Sequence, residues 1–144
     1  MERLDILKMG LTGVKGWLIV NVMKGKIRGL SKKELLAITE YKELLREELP
    51  GRIKRIILFG SKARGRSSRN SDIDLLVVLK KNGKRISRQI TGLTHGPIAK
   101  YMVDISPIVV EDKFFHNWSP LLAHIKEDGI PVWINNKAGE NTLS

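Results

Sequence analysis

Apolar and polar positions along the chain alternate between two periods. From Ser31 to Leu49 the apolar residues Leu35, Ile38, Leu45 and Leu49 recur at near-helical spacing, and Ser31 with Glu34 three residues on forms a capping-box start. Pro50-Gly51 closes this predicted helix. Two short runs rich in branched side chains follow, "IKRIILF" at 53–59 and "DIDLLVVL" at 72–79, and "YMVDISPIVV" at 101–110 is a third. They read as strands buried on both faces. The stretch between the second and third, "KKNGKRISRQITGLTHGPIAK", predicts a loop and then a helix weakened by Gly92 and Gly96. "EDKFFHN" and "SPLLAHIKEDG" predict two short helices, the second capped by Ser119 with Pro120 at its first position. "IPVWI" at 130–134 predicts a last strand, and 135–144 a frayed tail. Residues 1–30 show no clear periodicity around the apolar run "WLIVNVM", which fits a strand pair, an arm or an element ordered by a partner. The pattern is that of an α/β (α+β) domain: a small mixed sheet with flanking helices.

Composition narrows the class. A chain of 144 residues, 42% apolar, supports one domain with a real core. It has no cysteine, which excludes disulfides and thiolate metal sites. "WLIVNVM" is far too short for a membrane span, and Glu2 and Asp5 before it argue against a signal peptide, so a cytoplasmic protein is expected. The net charge of +11 is unevenly placed: residues 51–100 hold 13 Lys and Arg against 2 Asp and Glu. A polyanion, a triphosphate or an acidic protein would each suit that excess, and so would a plain solvated surface.

Within the basic third lies "FGSKARGRSSRNSDIDLLVV", 59–78. Alternation along a strand puts Asp72 and Asp74 on one face and Ile73, Leu75 and Val77 on the other. Two adjacent carboxylates repel, and such pairs are tolerated chiefly where a cation lies between them. Oxygen ligands on a rigid strand suit Mg²⁺, which is usually completed by waters and substrate phosphates. Gly60-Ser61 lies where a strand ends, a place for backbone amides and a hydroxyl to meet phosphate oxygens, and Lys62, Arg64, Arg66 and Arg69 add positive charge. Asp104, within the third predicted strand on the face of Met102 and Ser106, is a third carboxylate. Three aspartates from two strands would hold two metal ions for an in-line displacement at phosphorus. Glu111 and Asp112 compete for that third place, but they fall at a predicted helix start, where acids are favoured without a metal. His95, His116 and His124 lack metal-ligand spacing, and Trp17, Trp118, Trp133, Phe114 and Phe115 fit core or interface better than base stacking.

Gly60-Ser61, ten intervening residues and Asp72-x-Asp74, with an aspartate on a later strand, resembles the minimal nucleotidyltransferases of the polymerase-beta superfamily. More narrowly it resembles the MNT antitoxins paired with HEPN toxins. The resemblance covers 31–134, and 1–30 stands outside it as an extension of open role. It implies a nucleotidyltransferase-like fold in which Gly60, Ser61 and Arg64 hold the triphosphate, Asp72 and Asp74 bind Mg²⁺ or Mn²⁺, and Asp104 binds one metal and helps activate an acceptor hydroxyl. It implies transfer of AMP from ATP to that hydroxyl, a tyrosine of a HEPN ribonuclease, with no membrane partner and nucleic acid not the main substrate. A small-molecule transferase like the aminoglycoside-modifying relatives, and a non-catalytic antitoxin that acts by binding, are the alternatives.

Overall fold

The computed structural model describes residues 30–65, 71–116 and 119–135. In chain order the elements are α1 (Lys32–Glu48), β1 (Ile53–Phe59), α2 (Ser61–Arg64), β2 (Ile73–Leu79), α3 (Lys84–Gly92), α4 (His95–Tyr101), β3 (Ile105–Glu111), α5 (Asp112–Phe115), α6 (Pro120–Asp128) and β4 (Ile130–Ile134). The four strands form one mixed sheet in the order β3-β2-β1-β4. β1 runs antiparallel to β2 and β4, whereas β2 and β3 are parallel and joined by a crossover through α3 and α4. The expected mixed sheet with flanking helices is present.

Alternation along the strands divides the core in two. Ile56, Leu58, Ile73, Leu75 and Val77 pack with Leu35, Ile38, Tyr41 and Leu45 of α1 and with Ile90 of α3. Ile57, Phe59, Leu76 and Val78 pack on the other face with Phe115, Leu122 and Ile125. Covering both faces is why the central strands read as continuous apolar runs. The Tyr41 hydroxyl, wholly buried, donates to the Ile90 carbonyl at 2.6 Å and ties α1 to α3. Burial pushes its ionisation well above the ordinary range.

Helix starts follow the sequence closely. Glu34 N–H donates to Ser31 Oγ, and Glu34 Oε1 accepts from Ser31 N–H, completing the capping box. Ser119 Oγ accepts from Leu122 N–H, with Pro120 in the first turn. Two expectations need correction. The segment after Lys81 forms two helices rather than one, with Gly92 ending the first. The third strand starts at Ile105 and not at Tyr101, because α4 runs on to Tyr101 and Met102 N–H still donates to the Ile98 carbonyl. Leu30 packs into the core, and Asn135 N–H donates to the Lys54 carbonyl beyond the end of β4. The remainder of the extension and of the tail, with Trp17 and Trp118, lies outside the described residues.

The other carboxylate oxygen of Glu34 pairs with the Lys62 ammonium, whose side chain is only 2% exposed. One acid thus caps α1 and anchors α2. Removing a single partner of a buried pair strands the other charge, at about 3–5 kcal/mol, whereas replacing both with apolar groups of similar size is close to neutral. Glu34→Gln should therefore lower unfolding stability in urea by about 3 kcal/mol, and Glu34→Leu/Lys62→Met by clearly less. A double variant as unstable as the single one would show that the pair is not the anchor.

Candidate active site

The short helix α2 follows β1 through Gly60, which takes φ +80° and the N-cap position. Ser61 is therefore the first helical residue and not the cap. Phe59 is registered against Asp74 on β2, so Gly60 lies directly at that aspartate. A Cβ on Gly60 would collide with Asp74 Oδ2. The glycine is required by the carboxylate beside it as well as by its own backbone angle.

β3 supplies the other side. Ile73 pairs with Ile105 and Asp74 with Ser106, and Ile73 N–H donates to the Asp104 carbonyl at 2.8 Å. Asp104 therefore sits one residue before β3, beside Asp72, rather than in the middle of a strand. Ser106 Oγ donates to Asp72 Oδ2 at 3.0 Å and orients that carboxylate, a role the sequence did not single out. Asp72 and Asp104 are exposed and Asp74 is half-buried. Burial, and then the charge of Asp72, raise the Asp74 pKa, while Arg64 works the other way.

Among the described residues no three acidic, histidine or cysteine groups stand ready-gathered around a metal position. Two strand carboxylates with an open side nevertheless suit Mg²⁺, which is commonly held by one or two carboxylates and completed by water and phosphate. The donor set fits that ion, with Asp72 and Asp74 as the pair brought together and Asp104 adjacent in register.

The cations divide among different places. Arg64 is at the site, near enough to act on Asp74. Lys62 faces Glu34 in the interior, so it is not a phosphate-facing charge as the sequence suggested. Lys80, Lys81, Lys84, Arg85 and Arg88 are exposed around the opposite end of β2, which a strand of this length places about 20 Å away. Arg66 and Arg69 lie outside the described residues. A cleft of about 520 Å³ opens beside Gly60 and Arg64, walled by Phe59, Leu121, His124, Ile125 and Asp128. His95 and His116 are exposed elsewhere, and Phe115 is core, as expected, but Phe114 is half-exposed.

Residues 38–130 match the Nucleotidyltransferase domain family. The chain belongs to this family. It is 41% identical over 86 residues to "Putative protein adenylyltransferase MJ0604" of Methanocaldococcus jannaschii, covering 58% of this chain and 82% of that one. It is 43% identical over 75 residues to "Putative protein adenylyltransferase MJ1305" of the same organism, covering 49% of this chain and about half, 51%, of that one. A crystal structure of a toxin-antitoxin with AMP-PNP contains a chain of the same fold, with TM-score 0.50 and 26% identity over 67% of this chain and 73% of that one. No helix among the described residues is long and apolar enough to cross a membrane.

Two outcomes follow from the contact of Gly60 with Asp74. Gly60→Ala should destabilise the protein by about 1–3 kcal/mol through backbone strain and displacement of Asp74, whereas Ser61→Ala should stay within about 0.5 kcal/mol. Equal melting temperatures for the two variants would refute the packing account. In chelator, Asp74→Asn should melt higher than the parent protein at neutral pH, because it removes a carboxylate held above its ordinary pKa. That advantage is complete above the raised value, where Asp74 is ionised folded and unfolded, and vanishes below the ordinary one, where it is protonated in both states. Melting curves from pH 7 to pH 3 would reveal the convergence.

Proposed function

We propose that this nucleotidyltransferase moves AMP from ATP to a hydroxyl of a partner protein, in particular a tyrosine of a HEPN ribonuclease toxin that it restrains as the antitoxin. The observation that carries the proposal is convergence: Gly60-Ser61, Asp72, Asp74 and Asp104 meet at one sheet end. The similarity to proteins named as adenylyltransferases of proteins, and to a toxin-antitoxin chain solved with AMP-PNP, supports the reading. With ATP as substrate, the reaction belongs to the cytoplasm.

In this proposal the Gly60-Ser61 turn receives the triphosphate and Arg64 offsets its negative charge. Asp72, oriented by Ser106, and Asp74, seated on Gly60, would hold two Mg²⁺ ions with help from Asp104. When bound, the ions neutralise the phosphate oxygens and the leaving pyrophosphate. The acceptor oxygen attacks the α-phosphorus in line, the bond to the bridging oxygen breaks, and pyrophosphate departs with that oxygen. Asp104, exposed beside Asp72, takes the proton from the acceptor hydroxyl. Among the described residues nothing covers Asp72 or Asp104, which leaves room for a macromolecular acceptor.

The test combines the protein, ATP and Mg²⁺ with a HEPN-type ribonuclease as the partner, and reads intact masses. An AMP increment should appear on the partner and be absent with Asp74→Asn. A partner inhibited yet unmodified would indicate neutralisation by binding, and modification of an added aminoglycoside alone would indicate a small-molecule transferase.

A further inference from the structure

Among the described residues Met102 is the one non-glycine with positive φ, at 55°. It ends α4 in the left-handed conformation, a position that glycine normally takes because a Cβ there is strained. Helix ends of this kind are usually secured by an apolar contact with the last turn. Met102 forgoes that burial and is 78% exposed. A large apolar side chain thus stands in water on a strained backbone two residues before Asp104. Strain of this kind is retained chiefly where a site uses it.

Two other exposed apolar residues border the same carboxylates. Ile108, 40% exposed, follows Ser106 on the same face of β3, and Ser106 is bonded to Asp72. Leu121, 47% exposed, lines the cleft beside Gly60 and Arg64 from α6. Among the described residues the remaining exposed large apolar ones are Leu36 on α1 and Phe114, which is covered in part by Lys113.

We propose that Met102, Ile108 and Leu121 form the surface that receives the hydroxyl-bearing segment of the acceptor protein, with Met102 as its positioning residue. This rests on the protein-acceptor reading above. Position selects the occupant: Met102 is two residues before Asp104, Ile108 two after the Ser106 that bonds Asp72, and Leu121 shares the cleft with Gly60, so all three flank the place to which turnover must bring the acceptor hydroxyl. Chemistry selects it too. Apolar side chains on separate elements, β3 and α6, match the aliphatic and aromatic flanks of a protein segment. An unbranched thioether adapts to such a surface without a fixed pocket.

The experiment uses the full chain with a HEPN-type ribonuclease as the partner. Met102→Gly should raise the melting temperature, leave the Kd for ATP with Mg²⁺ unchanged, and raise the KM for the partner about tenfold with little change in kcat. Met102→Leu should restore the KM, and Ile108→Ser should raise it as Met102→Gly does. If Met102→Gly and Ile108→Ser both modify the partner with parental KM, the surface is refuted while the protein-acceptor reading stands. If the parent protein leaves the partner unmodified, that reading fails and the surface with it.

Discussion

The buried pairing of Lys62 with Glu34 fixes where the catalytic end of this domain can be. α2 is a single helical turn, too short to hold its own shape, since helix nucleation is unfavourable and most helical stability comes from packing. It is pinned by an ion pair to the first turn of α1, whose own start depends on the same glutamate. α1 is in turn bound to the sheet through Leu35, Ile38, Tyr41 and Leu45. The Gly60-Ser61 turn thereby inherits the rigidity of the main core, although it contributes little apolar surface itself. Taking two charges out of water gives little net stability, so the pair is better understood as fixing one arrangement of α2 against β1.

That arrangement then determines the carboxylates. With α2 in place Gly60 lies under Asp74, and the register of β1 on β2 leaves no room for a side chain there. Parallel pairing of β2 with β3 brings Asp104 beside Asp72, and Ser106 against it. A one-residue slip in either pairing would turn the aspartates to the opposite face. The long apolar run after Asp74, buried on both faces, opposes such a slip. The hydrophobic core and the chemical site are therefore specified by the same registers.

Much of this could be read from the chain alone, for definable reasons. Capping boxes, an N-terminal proline and doubly buried strands are local signals, and Ser31, Ser119, Pro120 and the runs at 53–59 and 130–134 gave their elements correctly. The motif from Gly60 to Asp74 is also local, since it runs from the end of β1 to the start of β2. What the chain did not reveal was long-range. Lys62 looks like one more cation of a basic loop, and only the packing of α1, far earlier in the sequence, shows it to be internal. The basic third looked like one surface, yet the sheet sends its cations to opposite ends. "YMVDIS" looked like a strand because Tyr, Met and Val satisfy that pattern, while the helix before it ran on through Tyr101 and stopped in an unusual conformation at Met102.

The places where local rules were broken share one location. Asp74 is half-buried next to a like charge, and Met102 is strained and exposed just before Asp104. Each departure lowers the stability of the isolated domain, and the well-packed core beneath can tolerate them because it is satisfied on both faces. A fold selected for stability alone would put asparagine or glycine at one or both of these positions. Their concentration at a single sheet end fits the proposed site, in which cations at the carboxylates and an acceptor surface over Met102 would supply the compensation on binding.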